Sequence, residues 1–108
     1  MKAYKTFIVK RDGVLRSIFH FFDFHDGENV YKEKTRGFLS WATKKQAERY
    51  RETLVAIHFS EVIVKEIEIK KEDIIKEEKE RLYTKDGQKK LKIKNPYGIA
   101  IYSTKIYI

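Results

Sequence analysis

The chain contains no cysteine, which excludes a disulfide framework, thiolate zinc sites and a cysteine nucleophile. That absence fits a reducing compartment, and the cytoplasm is the expected location. There is one proline and there are five glycines, so no linker is written into the composition, and no glycine-rich phosphate cradle of the P-loop or dinucleotide kind precedes a helix. No segment approaches the roughly 20 apolar residues that span a bilayer. Lys5, Lys10 and Arg11 fall where a signal peptide needs an apolar run, so the mature chain is expected to be the whole chain. No serine sits in a nucleophile elbow. The adjacent carboxylates Glu72 and Asp73, or Glu77 and Glu78, would point to opposite faces of a strand or diverge by about 100° on a helix, and read as a solvated face. These residues imply no catalytic group and no cofactor.

What is present is charge. The net charge is +8 over 108 residues, a length that suits one domain spanning residues 1–108. Residues 1–60 carry 12 basic and 7 acidic groups, residues 61–80 carry 5 and 8, and residues 81–108 carry 7 and 1. The excess is therefore concentrated toward the C-terminus. Such a field favours polyanions, although abundant Lys and Glu also follow from genome composition or a hot habitat.

Residues 3–10 and 14–22 are rich in aromatic and β-branched residues, and Asp12-Gly13 between them suits a two-residue hairpin turn. That register puts Tyr4, Ile8, Leu15, Phe19 and Phe21 on one face and Phe7, Val9, Ile18 and Phe22 on the other. Both faces are largely apolar, so a helix, a loop or a second copy should cover each. Residues 23–36 read as a loop with a turn at Asp26-Gly27-Glu28-Asn29 and a short strand at Val30-Tyr31. Residues 37–42 form a strand leading into a helix whose start is marked by Thr43 and Gln46, a T-x-x-Q capping box. Ala47, Tyr50, Leu54 and Ile57 give that helix an apolar stripe. Residues 61–69 alternate as a strand, with a bulge expected near Lys65. Residues 70–81 are expected to begin extended and continue as helix or loop. Asp86-Gly87 and Asn95-Pro96-Tyr97-Gly98 are turns, and residues 99–108 a single final strand. The fold class is α+β: a mostly antiparallel twisted sheet with one amphipathic helix on one face.

His20, Asp23, His25 and Asp26 fall within seven residues, but their spacing matches no metal motif, and no metal site is assigned. The stronger signal is Lys85, Lys89, Lys90, Lys92 and Lys94, set among Tyr97, Tyr102 and other tyrosines. If residues 89–94 form a strand beside residues 99–108, Lys90, Lys92 and Lys94 share a face and could follow phosphates, while Tyr97 or Tyr102 stacks on a base. A lysine-coated edge that blocks strand aggregation gives the same pattern without a ligand. Lys44, Lys45, Arg49 and Arg51 add a second basic surface.

The segments Lys2-Ala3-Tyr4-Lys5, Asp12-Gly13-Val14-Leu15-Arg16-Ser17-Ile18-Phe19 and Arg36-Gly37-Phe38, leading into Thr43-x-x-x-Ala47-x-x-Tyr50, resemble a group of small phage and prophage proteins. The resemblance covers most of the chain except residues 76–94 and implies a phage-type accessory protein. A protein of that kind could act against a host protein through an apolar patch formed by Phe21, Phe22, Phe24 and Trp41. The order Gly37-Phe38-Leu39-Ser40-Trp41-Ala42, Ala47-x-x-Tyr50, the Val-rich strand at residues 61–69 and Asn95-Pro96-Tyr97 is also similar to that of ADP-ribosyltransferases of the poly(ADP-ribose) polymerase type. Pro96 stands where their catalytic glutamate would be, so this second resemblance implies a relative without transferase activity. The expected function is non-catalytic binding of nucleic acid or a nucleotide-like anion, with a host protein or a second copy of the chain as other partners.

Overall fold

The first strand, β1 (Lys2–Val9), organises the sheet because both of its edges and both of its faces are used. The structure, a computed structural model, describes residues 1–18, 22–32, 37–57, 61–85, 89–94 and 98–108, with the backbone alone at 56–57, 80–85 and 89–94. After β1 the chain turns through three residues, not two. The Lys10 amide donates to the Val14 carbonyl at 3.0 Å and the Gly13 amide to the Lys10 carbonyl at 2.9 Å, and Gly13 takes φ +84°. A three-residue loop with glycine in the left-handed region closes the hairpin, and Asp12 Oδ1 accepts the Val14 amide. The register is therefore Ile8 with Arg16 and Val9 with Leu15. This single-residue slip moves Leu15 to the face of Phe7 and Val9.

The second strand is also shorter than expected. It covers only β2 (Leu15–Arg16), because the backbone doubles back: the Ser17 amide donates to the Phe22 carbonyl and the Phe24 amide to the Leu15 carbonyl, each at 2.8 Å. Next comes β3 (Glu28–Val30), which begins two residues before the short strand expected at Val30-Tyr31 and takes in part of the expected turn. Its central Asn29 is fully buried with its amide satisfied, accepting from the His25 amide and donating to the carbonyls of His25 and Gly27. A side chain that stitches its own loop explains how a polar segment holds a strand.

β4 (Phe38–Trp41) runs into α1 (Lys44–Ile57) through the expected capping box. The Gln46 amide donates to Thr43 Oγ1 and the Thr43 amide to Gln46 Oε1, both at 3.3 Å. Thr43→Ala should therefore cost about 1 kcal/mol in urea unfolding, since the Gln46 amide loses its acceptor. Ala47 and Leu54 are buried and Tyr50 is half-buried, as the stripe predicts, while the side chain of Ile57 lies outside the described residues.

β5 (Val62–Glu68) pairs with β1 without a break, from Ile8 with Val62 to Lys2 with Glu68, so the expected bulge near Lys65 is absent. The alternation looked out of phase because α1 covers one end of β5: Val62 is buried on the helix side, whereas Ile67 belongs to the opposite core. A 3-10 turn (Lys71–Asp73) then leads to β6 (Ile74–Glu78), β7 (Glu80–Lys85) and β8 (Lys89–Lys94). The extended stretch expected within residues 70–81 is present as β6, after the 3-10 turn, but strand rather than helix or loop follows it. The final strand is broken at Thr104 into β9 (Ala100–Ser103) and β10 (Lys105–Tyr107).

The main sheet has the order β3-β10-β5-β1-β4-β9-β6, with β2 beside β1, and its pairings are antiparallel. β9 and β10 are separated by one residue in the chain but stand four places apart in the sheet. The sheet must therefore curl until its halves meet at Thr104, whose amide donates to the Asp73 carbonyl and whose carbonyl accepts from the Tyr31 amide. One core cluster comprises Ala3, Phe7, Phe24, Phe38, Ile67, Ile69, Ile101 and Ile106. On the helix side Trp41, Ala47 and Ala100 pack with Tyr4, Tyr50 and Tyr102. Phe7 lies in the first of these clusters and Tyr4 packs against the second, so both faces of β1 meet core within the chain, while Phe19 and Phe21 lie outside the described residues. No described helix is long and apolar enough to cross a membrane.

Candidate functional site

The C-terminal lysines lie on a structural unit of their own. β7 and β8 form a separate two-stranded sheet, in register from Glu80 with Lys94 to Lys85 with Lys89. Lys90, Lys92 and Lys94 occupy alternate positions of β8, opposite Thr84, Leu82 and Glu80. At about 3.4 Å per residue each strand is roughly 20 Å long. Residues 80–94 contain six basic and two acidic residues, so half of the chain's net charge sits on this ribbon.

Residues 89–94 pair with β7 and not, as the sequence suggested, with the last strand. A short hairpin loop brings β8 to β7 at small entropic cost, whereas both edges of β9 are already taken by β4 and β6. Tyr102 consequently stands apart from the ribbon. It lies in β9, in register with Leu39 on one side and Lys76 on the other, and Lys76 Nζ sits 4.8 Å from its ring centroid. Tyr97 and the Asp86-Gly87 turn lie outside the described residues. The structure thus gathers Lys85, Lys89, Lys90, Lys92 and Lys94 on one ribbon and leaves Tyr102 on the main sheet.

The proposed apolar interaction patch is not a surface among the described residues. Trp41 is 3% and Phe24 6% exposed; Phe24 meets Phe7 edge-to-face with ring centroids 5.1 Å apart, and Phe22 packs half-buried between Phe24 and Phe38. Aromatic side chains next to a polar loop were needed to fill the curled sheet. Phe21 and His20 lie outside the described residues. Asp23 pairs with Arg16 at 2.8 Å and Lys10 at 3.2 Å, and the hydrogen bond from Arg16, then that from Lys10, holds its carboxyl below the usual carboxylate range. His25 Nδ1 lies 2.8 Å from the Asp26 carbonyl oxygen. On α1, Lys44 pairs with Glu48 at 3.9 Å and Arg51 Nε donates to the Val62 carbonyl, so the second basic surface is partly neutralised and tied down.

A group the sequence reading passed over is Lys5, considered there only as a charge near the N-terminus. It follows Ala3 and precedes Phe7 in the same alternation, which was the available signal that its side chain enters the core. Its exposure is 5%. On the edge of β1 away from β5, Tyr4 pairs with Trp41 of β4, and Ile8 and Val9 pair with β2. Between these pairings the strands part, and Lys5 Nζ donates to the freed Leu39 carbonyl at 2.6 Å. The rings of Phe7, Phe24 and Phe38 have centroids 5.6 to 5.9 Å from the amine. Burial pushes the Lys5 pKa down to about 7.

The parted strands leave a cavity of about 110 Å³, lined by Lys5, Phe38 and Leu39 and by hydroxyl-bearing residues including Thr6, Tyr50 and Tyr102. Its rim includes Gly37, at φ +80°, where an added Cβ would lie 2.5 Å from the Ser103 carbonyl oxygen. Glycine is what lets β4 start this close to β9. Two distinct features therefore stand out, a basic ribbon and a buried amine beside a cavity. In comparisons with protein-family models, curated proteins and solved structures, none matches this chain.

Proposed function

We propose that the protein is a non-catalytic nucleic-acid-binding factor whose contact element is the β7–β8 ribbon. The observation that carries this reading is the concentration of half the net charge on a two-stranded sheet separate from the main one. Lys85, Lys89, Lys90, Lys92 and Lys94 supply the charge. An elongated ribbon with lysines at alternate positions suits a linear polyanion better than a compact nucleotide, which would need converging donors around one phosphate group. A two-stranded ribbon also fits the width of the duplex major groove. Tyr97 follows β8 and supplies stacking on this reading, whereas Tyr102, held on the main sheet, does not. The accessory role implied by the phage-type resemblance fits a small factor of this kind.

Fluorescence anisotropy with single- and double-stranded oligonucleotides tests the proposal. Binding should be seen at low ionic strength, and on duplex the affinity should fall with a log–log salt slope of about −4, as expected for four or five lysine–phosphate contacts. Absence of binding to both oligonucleotides at low ionic strength would reject it.

A further inference from the structure

We infer that Lys5 is an imine-forming amine and that the cavity beside it admits a small aldehyde. Three independent features converge on this assignment. The amine is held inside the sheet by its bond to the Leu39 carbonyl. A neutral amine so bonded retains a lone pair, whereas an ammonium would need acceptors for three N–H groups. No carboxylate lines the cavity among the described residues, so no counter-ion holds Lys5 in the charged form. The titratable groups on the other packed elements are the phenols of Tyr31, Tyr50 and Tyr102.

The second feature is room. About 110 Å³ is several times the ~10–15 Å³ that one water requires, enough for a carbonyl compound of a few heavy atoms. The third is the hydroxyl lining, which can carry protons between amine and oxygen. In the reaction the Nζ lone pair attacks the carbonyl carbon, the C–N bond forms, and the π electrons move to oxygen, which takes a proton. Loss of water from this carbinolamine, with the remaining Nζ proton leaving, makes the C=N bond. Amine and aldehyde become imine and water, with no oxidant or reductant. A desolvated lysine is the form in which this side chain acts as a nucleophile. With its pKa lowered to about 7, about half of the amine is neutral at pH 7, against a negligible fraction for an exposed lysine.

The test is reductive trapping on the intact, folded protein: propionaldehyde and cyanoborohydride at pH 7, followed by peptide mapping. Lys5 should acquire the propyl group ahead of the exposed lysines, its rate should level off above about pH 7, and the preference should vanish in urea. Surface lysines labelled while Lys5 stays unmodified, or labelling at Lys5 no faster than at its exposed neighbours, would overturn the assignment. The outcome is independent of nucleic-acid binding, because Lys5 and the ribbon belong to separate sheets.

Discussion

Lys5→Met is expected to gain about 4 kcal/mol in stability relative to the parent protein as the pH is lowered from 10 to 6. The folded-state pKa of Lys5 is lowered from 10.5 to about 7 by burial. Between these values the unfolded chain binds a proton that the folded chain refuses, so the parent loses stability as pH falls through this window. Below about pH 7 both states are protonated and the loss is complete. Methionine has similar bulk and no proton to bind, so its contribution is flat. At pH 10 the variant should be the less stable of the two by roughly 1–3 kcal/mol, because the Leu39 carbonyl loses its donor. The order of stabilities should therefore reverse between pH 10 and pH 6. Urea unfolding of both proteins at the two pH values reads this directly, and a difference that stays constant with pH would show that Lys5 is solvated.

The largest functional effect should come from the ribbon. Replacing Lys89, Lys90, Lys92 and Lys94 together by alanine should reduce the magnitude of the salt slope by about 3 to 4 and the duplex affinity at 50 mM salt by roughly a hundredfold or more. β7 and β8 pair only with each other, so the main sheet should unfold at nearly the same urea concentration. Removing Lys44 and Lys45 from α1 should leave the slope nearly unchanged if the ribbon is the contact element. Equal losses from the two sets would instead mean that only net charge matters.

How far these features could be read in the sequence depends on how local their causes are. The capping box at Thr43 and Gln46 was legible because its two hydrogen bonds lie within four residues. The hairpin at Gly13 was legible as a hairpin but not in its register, since Asp-Gly serves loops of two and three residues alike. The break at Thr104 was not legible, because it follows from curling: β9 must reach β4 and β6 while β10 reaches β5 and β3. The β7 strand was hidden because Glu80-Arg81-Leu82-Tyr83-Thr84-Lys85 shows no alternation of charged and apolar residues that would mark a strand.

The candidate sites divide in the same way. The lysines of β8 are conspicuous in composition, and their spacing every second residue needed only a strand to acquire meaning. Tyr102 was grouped with them because residues 99–108 were read as their partner strand, and the correct pairing with β4 and β6 separates it. Phe24 and Trp41 were read as surface because nothing local shows which large rings the interior takes, and the curled sheet needs them to fill it. Lys5 escaped notice because lysine is normally exposed. Only the parting of β1 from β4 makes a place for a buried amine and a carbonyl to receive it.

The most direct measurement of the central claim is an amide NMR titration of the protein with a short duplex at low ionic strength. Shift changes should concentrate at residues 80–94 and disappear on adding salt. Changes centred on the α1 residues Lys44, Lys45, Arg49 and Arg51, or none anywhere, would contradict the assignment of the ribbon as the nucleic-acid contact.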